Sequence, residues 1–566
     1  MTSPLAGALA PLWSAAGPPL QGGFPGSVPA PLSAAMPEIL LGLPLAAAAV
    51  CRFAPGRQTA PRAGLVGAAA TLAVALALAG ATAAPGATPA RGVTGWFYVD
   101  ALSGYLAAVV GLVAAIAAWF SVGYLRAEAA HGAIGPGDRR RYHGWFQLFV
   151  ATMAASCTLD SLGLVWAAIE ATTLASALLV GFYRHEAALE AAWKYLILCS
   201  AGITLALAGV ILVYSAGIRA LGPGQATLDW SALAAVAGRL DPRLMGLAFV
   251  LVLVGYGTKA GLAPMHTWLP DAHSQAPSPV SAVLSGILLN CALYGVLRVH
   301  ALAALAGSAI GAAPSGRSFE LLVLGGLLSV AVAVPFILVQ HDLKRLLAYS
   351  SVEHTGLVAL AVGVGTPLAL YGALLHVLTH AVTKTLLFCS AGTLIQRYGT
   401  RRVSRIQGAV QASPAAGTLF LLGALAIGGS PPFAPFRSEL AILAGVFDGR
   451  AYAVAGAVLA CLAAIFAGLL AHAMHVALGQ APKRLRDSGG AGPLGETAAG
   501  AARSPAPDAR RRPGGRSWPL LAAFALVLVL GLWVPPAVRD AAAAAAAVLP
   551  VRPGTPGAIQ AAGGSR

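Results

Sequence analysis

The sequence predicts an all-α polytopic membrane protein with about fourteen transmembrane helices. Three observations carry this. Apolar runs of about 18 residues or more follow each other almost end to end, the length an α-helix needs to cross hydrocarbon. Only 10% of the 566 residues are charged while 58% are hydrophobic, whereas a soluble domain carries about 25% charge. No segments of about ten residues alternate polar with apolar, as a transmembrane β-barrel would require.

The elements follow in order. Residues 1–33 read as a loose extension, because a basic n-region is missing and Pro18, Pro19, Pro25, Pro29 and Pro31 interrupt it. An N-terminal group, 34–144, holds spans near 34–51, 63–84 and 99–124. The next five spans, within 145–303, fall near 145–159, 161–182, 192–215, 244–263 and 279–303. Five more, within 304–479, fall near 319–339, 344–364, 367–391, 413–443 and 452–477. Residues 480–516 form a Pro/Gly/Arg-rich polar loop, the one clear linker. The segment 517–566 holds a last span near 517–537 and, from 540, an Ala-rich tail.

The odd-numbered loops carry about 22 Lys and Arg and the even-numbered loops about 7. By the positive-inside rule the odd loops face the cytoplasm of a bacterial-type inner (plasma) membrane, and both termini lie outside. The same placement accounts for the net charge of +16 without nucleic acid, since the basic residues sit in short loops and are not interleaved with aromatics.

Two spans, the seventh and the twelfth, are interrupted. Residues 255–279 read GYGTKAGLAPMHTWLPDAHSQAPSP and residues 428–440 read GGSPPFAPFRSEL. Gly- and Pro-broken spans at matching positions in two halves are the sequence sign of an inverted-repeat transporter. The six cysteines, Cys51, Cys157, Cys199, Cys291, Cys389 and Cys461, form no CxxC and lie in or beside apolar runs. This argues against zinc, an iron–sulfur cluster or a disulfide framework. With no nucleotide-binding glycine fingerprint either, the expectation is a chain without cofactor or metal.

The intramembrane charges are the functional clue. The chain has five lysines among its 36 basic residues, and Lys194, Lys259, Lys344 and Lys384 lie in or at the edge of expected spans. Arginine does not practically lose its proton, whereas a buried lysine can shift its pKa by several units, so a site that binds and releases a proton needs Lys. Glu170, in mid-span, costs at least about 2.5 kcal/mol to insert unpaired. Lys259 is its natural partner, and Glu439 stands ready for the same role with Lys384. In LHVLTHAVTKTLLFCSAG, His376, His380 and Lys384 recur every four residues. Each step turns about 40° and rises about 6 Å, giving a slanting ladder about 12 Å long suited to proton relay. HxxxH also fits zinc, but no third ligand is evident in the sequence. Plainer readings stand beside these: end-of-helix snorkelling for Lys194 and Lys344, loop packing for His266 and His273, interface contact for Arg437 and Asp160. Glu38 has no assigned role.

TKAGLAPMHTWLPDAHSQAPSPVSAVLSG and LHVLTHAVTKTLLF resemble the antiporter-like proton-translocating subunits: the complex I L, M and N subunits, the Mrp antiporter subunits and their counterparts in membrane hydrogenases. The resemblance covers about residues 95–475. YSSVEHTGLVALAVGVG and SPPFAPFRSEL look most like the F component of hydrogenase-4. The resemblance implies fourteen helices with two inverted five-helix repeats, spans 4–8 and 9–13, containing broken helices 7 and 12. It implies proton translocation through Glu170, Lys259, Lys384 and Glu439, with His376, His380, Lys194 and Lys344 as relays; His266, beside the first interruption, is a further relay candidate. Some relatives have a histidine early in span 8, where this chain offers Ser281 and Ser285.

The expected function is proton pumping within a redox complex of hydrogenase-4 or NADH-quinone oxidoreductase type. Other membrane subunits and peripheral iron–sulfur, hydrogenase-like or NADH dehydrogenase-like subunits would be its partners, and the chain itself would catalyse nothing. Alternatives are an Mrp-type Na⁺/H⁺ antiporter subunit, a membrane partner of a CO₂-hydrating, bicarbonate-accumulating complex, and a scaffold subunit.

Overall fold

The computed structural model describes residues 30–53, 56, 58–310, 316–482 and 514–555. Most of the expected extension 1–33 and loop 480–516, and the last residues of the tail, lie outside the described residues.

Helices occupy every expected span. We label them α1 Ala30–Phe53, α2 Thr59–Ala83, α3 Ala101–Ala130, α4 Pro136–Thr158, α5 Leu162–Val180, α6 Glu186–Leu221 and α7 Pro242–Ala260. Then come α8 Ser278–Leu305, which includes a π-turn over Leu284–Leu288, α9 Arg317–Leu338, α10 Leu343–Val364 and α11 Pro367–Tyr398. The chain closes with α12 Pro414–Ile427, α13 Ala434–Asp448, α14 Tyr452–Leu478, α15 Gly514–Leu532 and α16 Pro536–Ala547.

Among the described residues, eleven helices are long and apolar enough to cross a membrane, twelve if the bent pair at the C-terminus is one span. This differs from the expected fourteen for two reasons. Helix α4 spends its first two turns on Asp138, Arg139, Arg140 and Arg141, so it is long but not apolar throughout. The twelfth segment resolves as α12 and α13, of 14 and 15 residues, each too short to cross alone. The Ala-rich tail is also corrected. Pro536 starts a helix that bends 75° from α15 and buries Ala542, Ala545 and Ala546. Alanine has the highest helix propensity, and Pro suits the first helical position while preventing continuation from α15.

The bundle is apolar on its outer surface as well as in its core. Trp193, Ile197 and Ile211 on α6 and Leu324 on α9 face outward, as lipid-facing positions must. The central stretches of α8 and α11 are buried on every side, and α11 packs on α3, α8, α10, α12, α13, α15 and α16. Glycine allows the closest approaches: a Cβ on Gly326 of α9 would lie 2.5 Å from the Gly356 carbonyl oxygen of α10. Polar groups pin the frame. Asp100 caps α3 by accepting from Ser103 N at 2.9 Å and takes both Arg298 guanidinium nitrogens at 2.7 Å. Arg298 also lies over the Trp230 ring at 4.1 Å. The unassigned Glu38 accepts from Thr94 N and Oγ1 at 3.0 Å. It thereby secures a small antiparallel hairpin in which Ala90 pairs Val99 and Arg91 pairs Tyr98.

Candidate functional site

The two interruptions are built alike. Helix α7 ends at Gly261, at φ +76°, and a cis Ala263–Pro264 bond precedes a short helix, Trp268–Gln275. Helix α12 ends before Gly429, also at φ +76°, and a cis Pro431–Pro432 bond precedes α13. Positive φ is the conformation that glycine adopts without strain. At Gly429 there is a second reason, since a Cβ there would collide with the Glu439 carboxylate. The first interruption falls after α7, which is complete at 19 residues, and not inside it.

Lys259 lies in the last turn of α7 and is fully buried. Its ammonium donates to Thr173 Oγ1 on α5 at 2.9 Å and to the Tyr195 hydroxyl on α6, over whose ring it also sits at 4.6 Å. Tyr195 OH continues to Ser176 Oγ at 2.7 Å. The expected contact between Glu170 and Lys259 is not made. Glu170 Oε1 accepts from Ser200 Oγ at 2.7 Å, and its Oε2 is buried without a protein hydrogen-bond partner. Thr173, one turn beyond Glu170 on the same face of α5, stands between them.

Lys384 is likewise fully buried. Its ammonium donates to the Leu347 carbonyl of α10 at 2.6 Å and to Ser350 Oγ. Glu439 is not its contact. That carboxylate lies 3.9 Å from His354 Nδ1, and the acid on α10 beside the Lys384 contact is Glu353, one turn beyond Ser350. The histidine ladder is joined from α10. His376 Nε2 meets His354 Nδ1 at 2.9 Å, and His376 Nδ1 meets Ser438 Oγ of α13 at 2.9 Å. His380 packs against His354 at 5.0 Å between ring centroids, and its Nε2 has no protein partner.

The remaining relay candidates divide. Lys344 is buried and donates to the Ala276 carbonyl, which removes the snorkelling reading. Lys194 has a side chain 51% exposed and pairs with Glu190 at 2.6 Å and Asp271 at 3.6 Å. His266 is buried, lies edge-on to Phe336 and Tyr349 at 6.2 Å, and has an unpartnered Nδ1. Asp160 does not reach the interface: it is buried and accepts from Ser231 N at 2.9 Å and Ser231 Oγ at 2.6 Å. Arg437 donates to the Leu532 carbonyl, at the end of α15, at 3.2 Å.

Between the lysine sites, Ser285 Oγ in the π-turn of α8 meets Ser351 Oγ of α10 at 2.6 Å. Ser281 Oγ donates to the His273 carbonyl at 3.0 Å. A serine pair thus bridges the seam at the position expected to lack a histidine. Each hydroxyl both donates and accepts, so such chains can pass protons.

Sequence reasoning missed His354, Glu353, Asp100 and Arg298. The signal for the first two was the Glu–His dipeptide inside an expected span. A third metal ligand, not evident in the sequence, also comes within reach of the ladder. His354, His376 and Glu439 bring one ligand atom each to within 4.8 Å of one another, the group among the described residues whose geometry suits a metal.

The family described as NADH:quinone oxidoreductase/Mrp antiporter, transmembrane, matches residues 160–465, from just after α4 to the middle of α14. The hydrogenase-4 component F homologue of Methylacidiphilum infernorum is 39% identical over 351 residues, 62% of this chain and 72% of that protein. With several other curated relatives the match spans about half of their length. A structure of the Mrp complex from Dietzia sp. DQ12-45-1b contains a chain with TM-score 0.73 and 22% identity, covering 92% of this chain and 97% of that one. Respiratory complex I from Thermus thermophilus contains one with TM-score 0.63 and 26% identity, covering 88% and 97%. The matched region holds both glycine-marked interruptions, the buried Lys259, Lys344 and Lys384 and the serine bridge, and the chain belongs to the NADH:quinone oxidoreductase/Mrp antiporter family of membrane subunits.

Proposed function

We propose that this chain is the proton-translocating subunit of a multisubunit membrane redox complex of hydrogenase-4 type. In this reading electron transfer takes place in peripheral iron–sulfur, hydrogenase-like or NADH dehydrogenase-like partners, and this chain supplies the proton path. Lys259 and Lys384 are the carriers. Glu170 and Glu439 are the flanking acids, with Glu353 added, and the relay runs through His376, His380, His354 and Lys344. Protons enter from the cytoplasmic side, where the odd loops carry their basic residues, and leave on the side of both termini. The fourteen spans divide into an N-terminal group, two inverted five-helix repeats and a closing helix. The membrane is a bacterial inner membrane.

One observation carries the reading. Two lysines with no solvent exposure are held by neutral oxygens rather than by carboxylates, Lys259 by two hydroxyls and Lys384 by a hydroxyl and a carbonyl. A structural ion pair would place a carboxylate against each ammonium. Neutral oxygens satisfy its hydrogen bonds while leaving it able to lose its proton. The test is Lys259→Ala and Lys384→Ala in the assembled complex, with proton movement followed in membrane vesicles. Both variants are expected to assemble and to lose transport; intact transport in both overturns the reading.

A further inference from the structure

We propose that His354, His376 and Glu439 form a binding site for a divalent transition-metal ion of the zinc class, where helices α10, α11 and α13 meet. The site follows from its own ligand geometry; its effect on transport rests on the proton-translocating reading above.

Each of the three helices contributes one buried ligand. His354 Nδ1 lies 2.9 Å from His376 Nε2 and 3.9 Å from Glu439 Oε1, and the three ligand atoms lie within 4.8 Å of one another. Metal–ligand bonds of about 2.0–2.2 Å in a tetrahedron set ligand atoms about 3.3 Å apart, so small side-chain rotations complete the set around an ion. Two imidazoles and one carboxylate, with a fourth position for water, make an open zinc site. Calcium and magnesium instead take about six or more oxygens, and imidazole nitrogen favours zinc, copper and nickel.

The surroundings of the three ligands suit the same ion. Ser438 Oγ gives its one proton to the Pro435 carbonyl at 2.9 Å and therefore accepts from His376 Nδ1–H, also at 2.9 Å. This leaves the His376 lone pair on Nε2, toward His354. Metal-binding histidines are oriented in this way, by a hydrogen bond from the other ring nitrogen. Gly429 packs against Glu439 Oε2, where a Cβ would collide. The other oxygen, Oε1, faces His354 and is buried without a protein hydrogen-bond partner, although buried polar atoms nearly always find one. On the far side of His354, Glu353 Oε2 lies 4.0 Å from Nε2 and is also unpartnered. Two carboxylates thus flank the imidazoles, and a doubly charged ion balances them.

Binding needs no oxidant or reductant. The proton of His354 moves from Nδ1 to Nε2, toward Glu353, so both imidazoles bind as neutral ligands, and any proton on Glu439 leaves to water. The bound ion occupies the lone pairs through which His354 and His376 would relay protons, so transport through the second half stops.

The test uses the complete complex, purified without a histidine tag and washed with a chelator. Zn²⁺ is added by equilibrium dialysis, the bound metal is counted by mass spectrometry, and its ligand shell is read by X-ray absorption. The expected result is one zinc per copy of this chain that is absent from His354→Gln, His376→Gln and Glu439→Gln, or held there at least about tenfold more weakly. Its shell should contain two imidazoles. Glu439→Gln is nearly isosteric and carries the test where a histidine variant fails to assemble. Parental zinc binding by assembled Glu439→Gln, or a shell without imidazole, overturns the site. In membrane vesicles, Zn²⁺ should slow proton movement by the parent complex at least tenfold, and a chelator should restore it. Zinc held at this site with proton movement undiminished keeps the site and removes His354 and His376 from the proton path.

Discussion

Replacing Lys259 by methionine separates a proton carrier from a structural cation. The fully buried ammonium makes hydrogen bonds to Thr173 and Tyr195, and a bond to a charged group contributes about 1.5–3 kcal/mol. Against this stands the cost of burying the charge, several kcal/mol even after relaxation. Methionine is of similar length and loses both terms. The abandoned partners are not stranded: Tyr195 keeps Ser176 at 2.7 Å, and a helical threonine can turn to the carbonyl one turn back. The net change in stability should lie within about 2 kcal/mol of zero, so Lys259→Met assembles. Transport should nonetheless fall at least about a hundredfold, since each tenfold corresponds to about 1.4 kcal/mol of barrier. Lys259→Arg supplies the contrast, because arginine restores the charge but does not release its proton. It should assemble less well, from overpacking of about 1–3 kcal/mol, and transport no better. The assays are proton movement in vesicles and the yield of intact complex. An arginine variant that restores transport refutes the reasoning, because charge alone would then be sufficient.

Ser285→Ala and Ser351→Ala should each cost about 0.5–1.5 kcal/mol of stability, yet each should slow transport about tenfold. The double variant should be no slower than either single, because one bridge is lost in every case. Asp100→Ala should destabilise the chain by about 3–5 kcal/mol by stranding the buried Arg298. Thermal unfolding in detergent reads this, and adding Arg298→Met should recover most of the loss. Gly429→Ala should cost about 1–3 kcal/mol in the same assay, through its positive φ and the collision with Glu439.

Helices were legible in the sequence because hydrocarbon leaves the backbone few alternatives, and every expected span fell on one. The lysines were legible for a related reason, since an ionisable group in an apolar run always needs an explanation. Their partners were not. Pairing Glu170 with Lys259 assumed that opposite charges seek contact, but Thr173 and Tyr195 satisfy the ammonium first. Hydroxyl residues are unremarkable in a membrane helix, so no compositional signal marks which of them reaches a lysine. The buried Asp100–Arg298 pair joins residues 198 positions apart, and such pairings follow from tertiary packing rather than local pattern. The expected last span ran through Pro535–Pro536, where the helix in fact bends, and the alanine run beyond it carries too little hydrophobic contrast to announce which face it buries.

The hydroxyl that separates acid from amine recurs in both halves. In α5, Glu170 lies one turn from Thr173, which accepts from Lys259; in α10, Glu353 lies one turn from Ser350, which accepts from Lys384. The two helices are the fifth and tenth spans of the bundle, five apart, as an inverted repeat would place them. On the proposed reading Glu353, rather than Glu439, is therefore the counterpart of Glu170. An ammonium and a carboxylate in contact at about 4 Å attract by about 4 kcal/mol at an effective dielectric of 20. That would hold the proton on lysine by nearly three decades and stall a carrier that must release it. Placing a hydroxyl between acid and amine weakens this hold while leaving the carboxylate's field to act on the lysine. The neutral oxygens around Lys259 and Lys384 are then what allow each site to load and unload within one cycle, and the acids set when it does so.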